Sequence, residues 1–314
     1  TRKVRRPRFQ ILGFRFMSKV KIIVQFSGGK DSQACLIKAC EDFGAENVTA
    51  VFCDTGWEHE QTYSHIQNVV SILGVNLIIL KNEAIDGMDG LCKRMKWFPD
   101  SQNRMCTVQL KMYPMIDWIL SQDEHLIVIQ GIRAKESAER AKFDVECSYF
   151  KDYLDENYKK RLYRKRDVKE WCKTHDASVL RPIFTWSAQQ VIDYILAHGQ
   201  RPNPLYERGA SRVGCFPCIF ARLSEIKIVA REERYKQRVI ELENEVNSTR
   251  DKGNEASFFC KGKIPVRFCN RNSNGAPSFA EVSDYVLRGE NQPTLWDDTE
   301  TVMSCVSLYH GLCE

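Results

Sequence analysis

Long apolar runs are missing from this 314-residue chain: stretches such as "VNLIIL" (75–80) and "LIVI" (126–129) are strand-length. A bilayer-crossing helix needs about 20 mostly apolar residues, so a transmembrane helix is excluded and no membrane partner is expected. Internal repeats and low-complexity tracts are absent as well. The first sixteen residues, "TRKVRRPRFQILGFRF", contain no acidic residue and no apolar run before a cleavage site, so a secretion signal is not expected. Their Arg2, Lys3, Arg5, Arg6, Arg8 and Arg15 outweigh the whole chain's net charge of +5, so the remainder is close to neutral. Met17 followed by "SKVKIIV" suggests a native start, with residues 1–16 as an appended leader; the alternative is a basic arm for phosphate backbones. Global basicity is therefore weak evidence for nucleic acid.

What is present describes an ordinary globular protein, with 43% hydrophobic and 28% charged residues. Thirteen cysteines are many. A disulfide scaffold would be short and carry a signal peptide, so a reducing cytoplasm is expected, with most thiols buried as small hydrophobes and a subset ligating a metal or cluster.

Residues 21–27, 48–56, 76–82 and 125–132 read as strands, alternating with helices after each glycine or polar turn. That alternation predicts an α/β fold: a parallel sheet with helices on both faces. Residues 151–171 are charged and aromatic without a clear apolar period. Residues 185–199 predict a helix capped by Thr185 or Ser187, and residues 224–248 one long amphipathic helix. The expected organisation is a nucleotide-binding unit over 17–220 and a mainly helical lobe over 221–314.

"SGGKDS" (27–32) stands where the first strand hands over to a helix, but lacks the Walker spacing G-x-x-x-x-G-K-[ST]. Gly28 and Gly29 let backbone amides approach an anion, the helix N-terminus adds partial positive charge, Lys30 adds a full one, and Ser27 and Ser32 supply hydroxyls. A tight turn alone would explain the glycines but not the lysine.

The segment resembles the pyrophosphate loop (PP-loop) of the adenine-nucleotide alpha-hydrolase superfamily. Three later segments resemble its phosphoadenosine-phosphosulfate (PAPS) reductase-like branch, in family order: "CDTGWEHEQTYSHI" (53–66), "GIRAKESAERA" (131–141) and "RPIFTWSAQQVIDYILAHGQRPNPLYERG" (181–209). The resemblance implies that Ser27, Gly28, Gly29, Lys30, Asp31 and Ser32 hold phosphates. It also implies Asp54, Thr55 and Gly56 at the nucleotide, with Glu60 or Thr62 on the following helix. Arg133 and Arg140 would bind the phosphate or sulfate end, and Asp31 or Asp54 would position metal or nucleotide. The ligand would be ATP, with Mg²⁺, or PAPS or adenylyl sulfate (APS).

"GCFPCIF" sets Cys215 and Cys218 as C-x-x-C, which suits a redox pair, half a zinc site with Cys260 and Cys269, or half an iron–sulfur site. Aligning Lys111 and Pro114 of "RMCTVQLKMYP" with the C-C-x-x-R-K-x-x-P segment of APS reductases implies Cys106 as a third ligand of a 4Fe-4S cluster. Cys305 is the first guess for the fourth. Sulfonucleotide reductases also carry a nucleophilic tail cysteine. Here the tail reads "HGLCE", with Cys313 in an altered order. "YKKRLYRKR" (158–166) mixes basic and aromatic residues as a DNA or RNA surface does.

These features point to an ATP pyrophosphatase or sulfurtransferase that cleaves between the α and β phosphates, supplied by a sulfur donor such as a cysteine desulfurase. The alternatives are a PAPS or APS reductase with a thioredoxin partner, and a nucleotide-sensing module without turnover.

Overall fold

A computed structural model describes residues 20–250, 255–269 and 275–288. The chain runs β1 (Val20–Gln25), α1 (Lys30–Phe43), β2 (Val48–Cys53), α2 (Glu60–Leu73), β3 (Asn76–Leu80), α3 (Gly87–Met95), α4 (Met105–Thr107), a π-helical turn (Val108–Met112) and α5 (Tyr113–Leu120). It continues through β4 (His125–Ile129), β5 (Glu146–Ser148), α6 (Lys151–Leu154), α7 (Lys165–Trp171), β6 (Ala177–Leu180) and α8 (Ala188–Ala197). Helices α9 (Leu223–Arg231), α10 (Glu233–Ser248) and α11 (Phe279–Leu287) follow.

The six strands lie in the order β3-β2-β1-β4-β6-β5, all parallel except β5, which pairs antiparallel with β6 at the edge. The four strands read from sequence are present. The short β5 and β6 went unread, because runs of three or four residues carry no periodicity to detect.

Alternation along the buried strands divides the core between two faces. Ile22 and Val24 of β1, Ala50 and Phe52 of β2 and Ile127 and Ile129 of β4 pack under α1, α2 and α8. Ile23, Val51 and Val128 point the other way, onto Met115, Ile116 and Ile119 of α5 and onto Phe150 and Trp171. A third cluster gathers α9, α10 and α11 with Phe258 and Phe259, and draws in Trp57 and Leu91 from the first half of the chain.

Two glycine stops fall as expected: α1 ends at Gly44 (φ 85°) and α2 at Gly74 (φ 66°). Ser187, not Thr185, caps α8, its side chain accepting from the Gln190 amide. The single helix expected over 224–248 is broken at Glu232, whose backbone is extended (φ −106°, ψ 98°) and whose carboxylate reaches His59 and Arg208. Tertiary ion pairing there overrides an uninterrupted helical pattern.

Because β2, β1 and β4 are adjacent and parallel, their carboxyl ends bring residues 26–29, 54–56 and 131–133 to one edge of the sheet. Open α/β sheets bind ligands at that edge.

Candidate functional site

At the end of β1, Gly28 adopts φ 81°, and a Cβ there would stand 2.9 Å from Thr62 Cγ2. Left-handed backbone and the tight approach of α2 both require glycine. Gly29 precedes the first turn of α1, so the helix's positive end lies at the loop. The Ser32 hydroxyl donates to the Gly29 carbonyl (3.0 Å) and lies 3.2 Å from Ser27 Oγ, closing the loop on itself.

The charged residues converge from separate segments. Asp31 Oδ2 accepts from Lys30 Nζ at 3.0 Å, and Asp31 Oδ1 from Arg133 Nε at 2.6 Å. All three side chains are buried. Glu136 accepts from the Arg133 amide (2.9 Å) and pairs with Arg140, itself buried. Lys30, Asp31, Arg133, Glu136 and Arg140 thus form one chain of alternating charge with one positive charge in excess. Gly131 makes the arrangement possible: a Cβ there would stand 2.7 Å from the Asp31 carbonyl carbon and the Ser32 amide nitrogen. The end of β4 can approach the head of α1 only without a side chain.

The segment 201–206 braces the loop from outside. Asn203 Nδ2 donates to the Gly28 carbonyl and to Thr62 Oγ1 (3.3 Å each), and the Lys30 amide donates to the Tyr206 hydroxyl (3.1 Å). The Lys30 ammonium also lies 5.2 Å from the centroid of the Tyr206 ring. Of the two residues expected on α2, Thr62 is the one at the loop. Glu60 is exposed and pairs with Arg234.

Asp54, Thr55 and Gly56 form the turn after β2. Burial works against a charge on Asp54, but bonds from Lys81 Nζ (2.9 Å), the Tyr63 hydroxyl (2.7 Å) and the Gly56 amide (2.8 Å) prevail, and its carboxyl is held below the usual range. Burial dominates at Glu58, whose carboxyl is pushed up despite the nearby Lys111 charge and bonds from Thr55 and Tyr63.

One of the expected cysteines stands at this turn. Cys215 lies 3.8 Å from Thr55 Oγ1 and 3.9 Å from Glu58 Oε1, and the next residue's amide, Phe216 N, bonds the Trp57 carbonyl at 2.6 Å. The C-x-x-C segment therefore abuts the Asp54-Thr55-Gly56 turn. Among the described residues, however, no three His, Cys, Asp or Glu side chains are gathered as a metal ion requires. Cys106 and Cys215 pack against the same apolar cluster and, with Cys218, are the thiols that would hold a 4Fe-4S cluster, while a zinc grouping with Cys260 and Cys269 is not formed among the described residues. Cys305 and Cys313 lie outside the described residues, as do residues 1–16. Asp31 and Asp54 act as counter-ions to lysine and arginine.

The basic stretch 158–166 divides its residues between internal contacts and solvent. Tyr163 stacks on Tyr113 (centroids 3.7 Å apart) and bonds Asp117 at 3.0 Å, and Tyr158 packs against the second sheet face. Both tyrosines are half-buried, and Arg164 pairs with Asp117 and Asp167. Lys159, Lys160, Arg161 and Arg166 stay exposed.

A cleft open to solvent is lined by Ser27, Ser32, Phe52, Glu58, Lys111 and Gly131. Asn203, Tyr206, Glu58, Lys111 and Gly131 were not singled out from sequence as site residues. The "PLY" segment and the "GIR" glycine were visible there, whereas Glu58 carried no signal beyond its place after the Asp-Thr-Gly turn.

The phosphoadenosine phosphosulfate reductase domain profile matches residues 21–221. An uncharacterised 37.8 kDa protein of Escherichia phage 186 is 31% identical over 93% of this chain and 96% of its own. An adenosine 5'-phosphosulfate reductase of Streptomyces coelicolor is 25% identical over 54% of this chain, which spans 61% of that enzyme's length. The solved phosphoadenylyl-sulfate reductase of Candida auris is similar with a TM-score of 0.45 and 16% identity, over 65% of this chain and 84% of that one. With the profile covering well over half of its length, the chain belongs to the phosphoadenosine phosphosulfate reductase family.

Proposed function

We propose that this protein binds ATP, as its magnesium complex, and presents the α-phosphorus for attack with release of pyrophosphate, in support of sulfur transfer. The observation that carries the reading is the buried Lys30–Asp31–Arg133 set at the head of α1, one positive charge in excess once Glu136 and Arg140 are included. Two fixed cations beside a helix N-terminus suit a polyphosphate.

In this reading Ser27, Gly28, Gly29 and Ser32 hold the β and γ phosphates. Lys30 and Arg133 take up charge that grows on pyrophosphate as its bond to the α-phosphorus breaks, and their pairing with Asp31 keeps them in place beforehand. Arg140 acts through Glu136 to hold Arg133. The ionised Asp54, with Thr55 and Gly56, serves the nucleoside. The exposed charges of 159–161 offer attraction to nucleic acid without a stacking face, so the reading does not rest on a DNA or RNA acceptor.

The test is calorimetric binding of Mg–ATP to the purified chain, followed by pyrophosphate–ATP exchange. Lys30→Met is expected to weaken binding about tenfold or more, the loss of one charge-assisted contact. Failure of the wild type to bind ATP overturns the reading. A second reading, sulfonucleotide reduction, is favoured by the Cys215 thiol at the Thr55 turn. It predicts thiol-dependent sulfite release from PAPS or APS and no exchange. Tight binding with neither product would mark a sensing module.

A further inference from the structure

The stretch 158–166 carries six cations and no acidic residue, and it plays no part in the phosphate site. Its flanking acids in sequence are Glu156 and Asp167, and Asp167 is taken up by Arg164. Arg164 is the one cation of the six held in an ion pair among the described residues. Lys159, Lys160, Arg161 and Arg166 are exposed, and Lys165 is half-buried. Residues 155–164 form neither helix nor strand, yet they are anchored from within. Leu162 is buried, and the Tyr163 carbonyl accepts from the Tyr153 hydroxyl (3.0 Å). Tyr163 itself stacks on Tyr113 and donates to Asp117 (3.0 Å). Arg164 adopts left-handed backbone (φ 50°), a conformation that costs a non-glycine residue energy, and its bonds to Asp117 (2.8 Å) and Asp167 (2.7 Å) hold it there. Tyr113 opens α5, two residues after the Lys111 that lines the cleft. The loop therefore stands on the helix that starts beside the cleft.

We infer that this loop binds the phosphate backbone of duplex nucleic acid. A duplex carries one negative charge per about 1.7 Å of its axis, a dense row of anions that five unpaired cations can meet without an apolar anchor. Cations on an anchored loop lose little freedom when they do so. Single strands are held largely by stacked bases, and here Tyr163 gives one face of its ring to Tyr113 and its hydroxyl to Asp117. A membrane surface takes up the apolar face of an amphipathic helix, whereas Lys159, Lys160 and Arg161 lie on irregular chain. Contacts to phosphate position a duplex without reading its sequence, so no sequence preference is expected. The inference does not rest on the ATP reading; it adds a macromolecular partner beside the cleft.

The test is fluorescence anisotropy of a labelled duplex of about 20 base pairs, titrated with the full chain from about 50 to 200 mM salt. Wild type should bind saturably, and more weakly as salt rises. Lys159→Ala, Lys160→Ala and Arg161→Ala together should weaken binding about tenfold or more at the lower salt and flatten the salt slope by about 2 to 3. A matched triple, Lys93→Ala, Arg94→Ala and Lys96→Ala, removes the same charge from the exposed end of α3 and should stay within about twofold. The basic residues 1–16 are present in all three proteins, so the comparison cancels them. Melting curves show that both triples fold. No salt-dependent duplex binding in the wild type, an undiminished slope in the loop triple, or equal losses in the two triples overturns the inference. Tighter binding of an oligothymidine strand, of polyglutamate or of phosphatidylserine vesicles than of the duplex overturns it as well. Failure of the wild type to bind ATP while the duplex still binds overturns the functional reading and leaves this one standing.

Discussion

The phosphate side of this site and its cysteine side were equally legible as motifs, yet the fold treats them differently. Lys30, Asp31 and Arg133, drawn from two segments about a hundred residues apart, meet within hydrogen-bonding distance. Cys106, Cys215 and Cys218, at similar separations, are not drawn around one metal-ion position among the described residues. The reason is physical. A buried carboxylate without partners costs several kcal/mol, so a chain that buries Asp31 must bring cations to it before any ligand arrives. A thiol has no such need: it can be buried as a small hydrophobe, and cysteine spacing alone compels nothing.

The strongest test of that contrast removes one member from each side. Asp31→Ala leaves Lys30 and Arg133 buried without their shared counter-ion and is expected to cost about 3–5 kcal/mol in urea unfolding. Cys218→Ser, which strips no counter-ion from a buried charge, is expected to cost about 1 kcal/mol or less. An equal loss in the two variants, together with iron and sulfide in anaerobically purified wild type, would abolish the contrast and show the cluster.

Gly131→Ala sharpens the phosphate side. Its new Cβ would meet Asp31 and Ser32 main-chain atoms at 2.7–2.9 Å, and main chain cannot rotate away as a side chain can. Overpacking of this kind costs about 1–3 kcal/mol. The head of α1 must shift, so ATP affinity should fall more steeply than thermal stability, as calorimetry and melting together would show.

How far the sequence reaches follows the same division. The four long strands and the loop at β1 were legible because apolar runs and Gly-Gly-Lys announce themselves locally. The break at Glu232 was not, since it answers to His59 and Arg208, which sequence proximity does not reveal. The stacking of Tyr163 on Tyr113 was not legible for a related reason, since its partner stands fifty residues earlier in the chain. Glu58 and Lys111 were missed as site residues because each becomes one only when the ends of β1 and β2 and the π-helical turn are adjacent.

Tyr206→Phe tests a weaker member of the phosphate side. It removes the acceptor of the Lys30 amide while keeping the ring beside the ammonium. The expected cost is about 1 kcal/mol in stability, the usual net value of one hydrogen bond, with ATP affinity reduced a few-fold.

The smallest effect lies away from both sides, where the same charge logic operates at the surface. His198, at the end of α8, bonds the Tyr194 carbonyl (2.6 Å) and Glu41 on α1 (2.8 Å), and both contacts raise its pKa above the ordinary 6.5. Glu41, despite its own desolvation, is held low by Tyr194 and His198. The histidine's contribution is therefore fully present below pH 6.5 and is lost as pH rises through its raised value. It is partly exposed, so the pair is expected to contribute only about 0.3–1 kcal/mol, and less in high salt. Melting temperatures of wild type and His198→Ala should differ at about pH 6 and converge by about pH 9. A difference that persists undiminished at the higher pH would mean that α8 is held there by packing alone, and that partner-dependent charge governs only the buried Asp31 cluster.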